Sequence, residues 1–248
     1  RFPDPYTPQE LLPYELIWDM AEYFIRFIPK KDSLYLRLLL KLYESGSAFA
    51  LSTLNYDCLL IRVVNYLDHY FPSCQYTTCF PHGNAAFFCE GLLSPSGVAT
   101  ANAKSPIEYH INSNGHLVSN GKLGIIESLS HLRKLRVDYL LSPPVLCHIN
   151  PAKFAMSGAN IIDEQQLNFR KLISRAEKIA IIGTSVNEND EHIWSPLAQT
   201  NAQILYVSGS SSVDGFLEWA AKHQRAQDKV RRAYWSEAET DVYKFLEV

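Results

Sequence analysis

The chain has 248 residues, 47% of them hydrophobic, which is long enough for one sizeable core, and α/β folds of this length are commonly one domain. A net charge of −3 and a pI near 6.3 exclude a global basic field that would recruit nucleic acid. No run of about 18 apolar residues occurs, and the opening Arg1-Phe2-Pro3-Asp4-Pro5 lacks the charged and apolar regions of a signal peptide. The expectation is a cytoplasmic protein without a membrane span.

Glu15 to Phe27 carries apolar residues at helical spacing (Leu16, Ile17, Met20, Phe24, Ile25), and Ser33 to Tyr43 repeats the pattern after the Lys30-Lys31-Asp32 break. Gly46 fits the turn after this second helix. The run Ala48 to Leu54 predicts a buried strand whose carboxyl end presents Asn55 and Asp57, and Cys58 to Tyr70 predicts the crossover helix that follows.

Short strands are expected at Tyr76–Phe80 and Ala86–Cys89. Turn clusters at Ser94-Pro95-Ser96-Gly97 and Asn112-Ser113-Asn114-Gly115 follow, the second joining Ile107–Ile111 to His116–Val118 as a hairpin would. The region of about 84–145 therefore reads as an insertion in a single domain spanning 1–248.

Ile161 to Ala176 is amphipathic and leads into a strand at Lys178–Ile182, which ends in Gly183-Thr184-Ser185 and the polar Asn187-Glu188-Asn189-Asp190. A helix over Glu191–Thr200, a buried strand over Ala202–Val207, a Ser/Gly loop and a helix over Val213–His223 continue the alternation. The basic residues of Lys222–Arg225 and Lys229–Arg232 read as a solvated helix face. Val242, Phe245 and Leu246 mark a docking C-terminal helix. The fold expectation is α/β: a Rossmann-like, mostly parallel sheet flanked by helices, with a small β-containing insertion.

The five cysteines (Cys58, Cys74, Cys79, Cys89, Cys147) form no Cys-x-x-Cys pair and read as free buried thiols in a reducing compartment. Cys74, Cys79 and Cys89 with His82 match no zinc-ribbon spacing, so no metal is expected.

Two strand tips carrying small or amide-bearing residues suggest one shared cleft, because open α/β sheets bind ligands at the carboxyl ends of their strands. Between the tips in sequence lies Phe80-Pro81-His82-Gly83-Asn84, a histidine in a Pro/Gly turn. Asn55 and Asp57 are also strong helix-capping residues, and a histidine in a turn is commonly structural.

Thr53-Leu54-Asn55-Tyr56-Asp57, His82-Gly83 and Gly183-Thr184-Ser185, in this order, resemble the sirtuin superfamily, in particular its sirtuin-like NAD-hydrolysing members of antiviral defence systems. The resemblance implies that Asn55 contacts the nicotinamide ribose, that Asp57 holds the carboxamide, and that His82 acts as general base on a ribose hydroxyl. It assigns Thr53, Tyr56, Gly83, Gly183, Thr184, Ser185, Asn187, Asp190 and Ser208 to binding NAD. Glycine lets backbone approach a phosphate, and hydroxyls and N–H groups donate to its oxygens.

Two departures separate the chain from that family. Nothing before Asn55 resembles its Gly-Ala-Gly-x-Ser phosphate loop. No pair of Cys-x-x-Cys motifs separates His82 from Gly183, which argues for NAD hydrolysis over protein deacylation. A module that binds NAD or ADP-ribose without cleaving it, as a homo-oligomer or beside partner subunits, is the alternative, and no membrane or direct nucleic-acid partner is expected.

Overall fold

Mixed α/β structure follows from apolar periodicities that switch repeatedly between strand and helix. The computed structural model describes residues 8–89, 92–93, 99–100, 118–119, 122–140, 142–147 and 155–248. Among them are eight helices: α1 (Pro8–Phe24), α2 (Leu34–Glu44), α3 (Leu59–Tyr70), α4 (Leu129–Asp138), α5 (Ala159–Arg175), α6 (Glu191–Gln199), α7 (Ser210–Lys222) and α8 (Trp235–Leu246). The strands are β1 (Phe49–Ser52), β2 (Tyr76–Cys79), β3 (Phe87–Cys89), β4 (Leu92–Leu93), β5 (Ala99–Thr100), β6 (Val118–Ser119), β7 (Leu123–Ile125), β8 (Lys178–Ile182), β9 (Gln203–Ser208) and β10 (Lys229–Arg232). The turn at Ser94–Gly97 and all of the expected hairpin except Val118 lie outside the described residues. No described helix is long and apolar enough to cross a membrane.

The chain divides into two compact units, one formed by Arg1–Ile28, Thr53–Ile61 and Phe80–Gln165, the other by Pro29–Ser52, Arg62–Cys79 and Gln166–Val248. In the first, α1 and α4 are tied by charge: Arg133 Nη2 lies 2.5 Å from Glu22 Oε1 and Arg136 Nη1 2.6 Å from Asp19 Oδ1. The indole of Trp18, fully buried, donates to the Leu140 carbonyl at 2.8 Å. Antiparallel pairs β3–β7 and β5–β4–β6 supply the β structure of this unit.

The second unit carries the parallel strands, in two sheets of order β1–β2 and β10–β9–β8. One face of β9 packs Leu205 and Val207 against Leu38 and Leu42 of α2 and Ala238, Val242 and Phe245 of α8. On helices α6 and α7, Trp194 and Trp219 meet edge-on at 5.2 Å, and the Phe216 ring stacks on Tyr206 of β9 at 4.1 Å. Helices thus flank this sheet on both faces. Arg37 forks onto both carboxylate oxygens of Glu239 (2.8 and 2.7 Å), joining α2 to α8.

Local chemistry sets the element ends. Ser33 Oγ accepts from the Leu36 N–H at 3.3 Å and opens α2, and Gly46 follows its last turn with φ +68°. Ser128 Oγ accepts from His131 N–H at 3.1 Å and opens α4.

Two expectations are corrected. β1 is not buried: Phe49 and Leu51 are half-buried and Ala50 and Ser52 exposed, because among the described strands it pairs with β2 alone. The basic stretch after Lys222 is not a helix face. Residues Lys229–Arg232 form β10, whose charges line the outer edge of a sheet, and Arg225 is buried. Its guanidinium pairs with Asp228 (2.7 and 3.0 Å) and donates to the carbonyls of Thr200 (2.6 Å) and Ala202 (2.8 Å) just before β9. Of the five free thiols, Cys74 departs from the expectation by being half-exposed.

A buried ion pair in which each guanidinium nitrogen donates at least once is costly to break from one side, because the remaining charge is stranded. Arg225→Ala should lower unfolding free energy in urea by about 3–5 kcal/mol. Arg225→Met combined with Asp228→Leu should recover part of that loss.

Candidate functional site

The sequence-predicted residues fall into two groups, one in each unit. The first unit resumes at Thr53, whose buried hydroxyl accepts from the Asn55 N–H at 3.1 Å. This turn leaves Asn55 exposed, with Tyr56 and Asp57 half-buried. Asp57 Oδ1 accepts from the Leu59 N–H at 2.9 Å and caps α3, so the capping role weighed for this residue is present. Asn55 makes no such cap among the described contacts. Burial raises the Asp57 carboxyl above the usual aspartate range, against the opposing pull of the Leu59 N–H.

The second segment of this group is the turn at 80–85. His82 is 5% exposed, and its carbonyl accepts from Cys147 N–H at 2.9 Å. Its ring lies 6.3 Å from that of Tyr56, which also meets Phe24 at 5.8 Å. Gly83 has φ +78°, and a Cβ there would fall 2.0 Å from the Val145 carbonyl oxygen. Only glycine satisfies both the backbone and the space. Phe80, Phe87 and Phe88 are core residues, leaving Tyr56 as the half-buried aromatic of this group.

One residue joins the two segments, and the sequence reading gave it no role. Asn84 is fully buried; its Nδ2 donates to the Asp57 carbonyl at 2.6 Å and its Oδ1 accepts from Ala86 N–H at 3.0 Å and, more weakly, from Cys58 Sγ at 3.6 Å. Its own N–H donates to Val145 O (3.0 Å), and the next N–H, of Ala85, donates to Tyr56 O (2.9 Å). The Asn55-Tyr56-Asp57 loop and the His82-Gly83 turn are therefore held as one piece. The available signal was an asparagine directly after His-Gly, flanked by the apolar Ala85-Ala86-Phe87-Phe88.

The second group lies at the carboxyl ends of β8 and β9. Gly183 has φ +70° with nothing within 4 Å of where a Cβ would stand, so its backbone is open on that side. Its N–H donates to Val207 O at 2.9 Å. Ser185 and Ser212 hydroxyls are 2.6 Å apart, Asn187 Nδ2 donates to Asp190 Oδ2 at 3.2 Å, and Asn187 Oδ1 accepts from Asn189 N–H at 3.0 Å. Asp190 and Ser208 are buried. Tyr206 is a further residue that the sequence reading passed over. Its hydroxyl donates to the Thr184 carbonyl and lies 3.2 Å from the Ser212 carbonyl, tying the loop after β8 to the start of α7. Burial raises its pKa.

Comparison with protein-family models, with curated proteins and with solved structures gives no match.

The Asn84 hydrogen bonds are buried, so their loss strands a carbonyl and an amide. Asn84→Ala should cost about 2–4 kcal/mol in chemical denaturation, and Gly83→Ala about 3 kcal/mol or more. For Asp57 the two contributions separate by substitution. Asp57→Ala should lose about 1 kcal/mol of capping, whereas Asp57→Asn keeps an acceptor and removes a partly desolvated charge. A carboxyl whose pKa is raised by folding binds its proton more tightly in the native state, so its contribution to stability is greatest in acid and falls as pH rises through its native pKa. The stability of Asp57→Asn relative to the parent should therefore increase from about pH 4 toward neutrality, as thermal unfolding across that range would measure.

Proposed function

We propose that the chain is a Rossmann-like, sirtuin-like NAD-binding protein that hydrolyses NAD to nicotinamide and ADP-ribose. The observation that supports this reading best is the Asn84 link, which makes the Asn55-Tyr56-Asp57 loop and the His82-Gly83 turn one local structure. Those are the two segments to which the resemblance assigns the chemistry. An exposed amide, a half-buried carboxylate and a buried imidazole are suited to N-glycosidic cleavage.

In the proposed reaction, Asp57 orients the carboxamide and nicotinamide leaves from an oxocarbenium-like ribose. Asn55 positions the attacking water, and His82 accepts a proton from the water or from a ribose hydroxyl. Histidine suits that step because its ordinary pKa, about 6.5, permits exchange near neutrality. In the second unit, taken by itself, the backbone and hydroxyl donors of Gly183, Thr184 and Ser185, with Asn187, Asp190 and Ser208, are of the kind that bind phosphate and ribose oxygens. The open backbone at Gly183 supports that role.

A second reading keeps the ligand and drops the reaction: a sensing or assembly module for NAD or ADP-ribose. It is favoured by the capping role of Asp57, whose Oδ1 accepts from the Leu59 N–H.

Incubating the purified chain with NAD and following nicotinamide and ADP-ribose by chromatography separates the two. The proposal expects release that falls at least about 100-fold in both Asn55→Ala and His82→Ala. Tight binding without release supports the sensing module, and neither binding nor release overturns both readings.

A further inference from the structure

Strand register gathers charge on one face of the β8–β9–β10 sheet. Lys178 pairs with Gln203, Lys229 with Leu205 and Arg231 with Val207, and residues paired across a ladder share a face. Leu205 and Val207 pack toward α2 and α8, so Lys178, Lys229 and Arg231 stand on that same side. The last turns of α8 and its cap add Asp241, Lys244 and Glu247. These six charged side chains line a cavity of about 720 Å³ whose lining also includes the buried Leu205 and Phe245.

Two of the four cations have counter-charges. Lys178 Nζ lies 2.5 Å from Glu247 Oε1, and Arg231 Nε lies 2.9 Å from Asp241 Oδ2. Lys229 and Lys244 have no ion pair among the described residues. Lys229 Nζ stands instead 5.7 Å from the centre of the Phe245 ring, a cation–π contact that places its ammonium at the cavity wall. The lining thus holds a surplus of two positive charges beside apolar surface, in a chain whose net charge is −3. Concave, low-dielectric surroundings focus such a field, and an anion placed there relieves the mutual repulsion of the ammonium groups.

The 248 residues offer little to supply that anion themselves. Those outside the described set carry Asp4, Glu90 and Glu108 as isolated acids, matched in number by Arg1, Lys104 and Lys153. No acidic run remains among them to fill the cavity.

We propose that this cavity binds a small organic dianion, a phosphate monoester whose phosphoryl oxygens accept from Lys229 and Lys244 while its apolar or aromatic body rests against Leu205 and Phe245. A phosphate monoester carries close to two negative charges at neutral pH, which matches the surplus. Inorganic phosphate has the charge without the body, and a neutral aromatic has the body without the charge. Lys178, Gln203 and Lys229 are the first residues of their strands, whereas Gly183-Thr184-Ser185 follows the carboxyl end of β8. The inference is therefore independent of the proposed NAD chemistry.

The test titrates phenyl phosphate, inorganic phosphate and phenol separately into the purified, isotopically labelled chain at low ionic strength, followed by backbone amide NMR. Phenyl phosphate should give saturable shifts at Lys229, Arg231, Lys244 and Phe245. Inorganic phosphate should act on the same amides at least about threefold more weakly, phenol should not saturate, and added salt should weaken both anions. Lys229→Gln and Lys244→Gln keep most of the alkyl stem and should each weaken phenyl phosphate about three- to fivefold with circular dichroism unchanged, whereas Glu247→Gln releases Lys178 and should tighten it. Four results would overturn the proposal: no saturable shift with phenyl phosphate, shifts centred on Gly183 to Ser185 instead, equal affinity for inorganic phosphate, or unchanged affinity when both lysines are replaced.

Discussion

The side chain of Asn84 is the constraint on which the first group of candidate residues depends. A fully buried amide must have its donor and acceptor satisfied, and here the partners are the Asp57 carbonyl and the Ala86 N–H. The Gly83 backbone, pressed against Val145, leaves the turn no alternative path. Two segments far apart in sequence are thereby locked in register by polar contacts that water cannot replace. Such locking is what general acid–base chemistry requires, since its groups must be held before substrate arrives.

The second unit depends on a different kind of constraint. β9 is the most buried strand, covered on one face by α2 and α8 and on the other by the stacked Phe216 ring of α7. Arg225 and Asp228 fix the chain just before this strand, and the Tyr206 hydroxyl fixes the loops beyond it. Both ends of β9 are thus tied by hydrogen bonds, which holds Gly183 to Ser185 and Ser208 to Ser212 in place. Polar contacts at strand ends, rather than additional apolar area, set the geometry of this second group.

Much of this organisation was legible in the chain. The spacing of Leu38, Leu39 and Leu42 defines α2, Gly46 ends it, and the run Lys178–Ile182 is a strand with the predicted bounds. What the sequence hid follows from long-range contacts. An apolar run such as Ala48–Leu54 has the same composition whether or not it has neighbours on both sides, so the partial exposure of β1 could not be read from it. A basic stretch reads as solvated until one learns that Asp228 is folded against Arg225. Asn84 and Tyr206 were missed for a related reason: their roles lie in backbone partners contributed by distant segments. His82, Asn55 and Gly183 were visible because their residue types suggest chemistry without any tertiary knowledge.

The central proposal is that the Asn55-Tyr56-Asp57 loop and the His82-Gly83 turn, held as one piece by Asn84, recognise NAD. Backbone amide NMR of the isotopically labelled chain, titrated with NAD, tests it most directly. The account predicts shifts that saturate together at Asn55, Tyr56 and Gly83. Shifts confined to one of these two segments, or none at millimolar NAD, would contradict it.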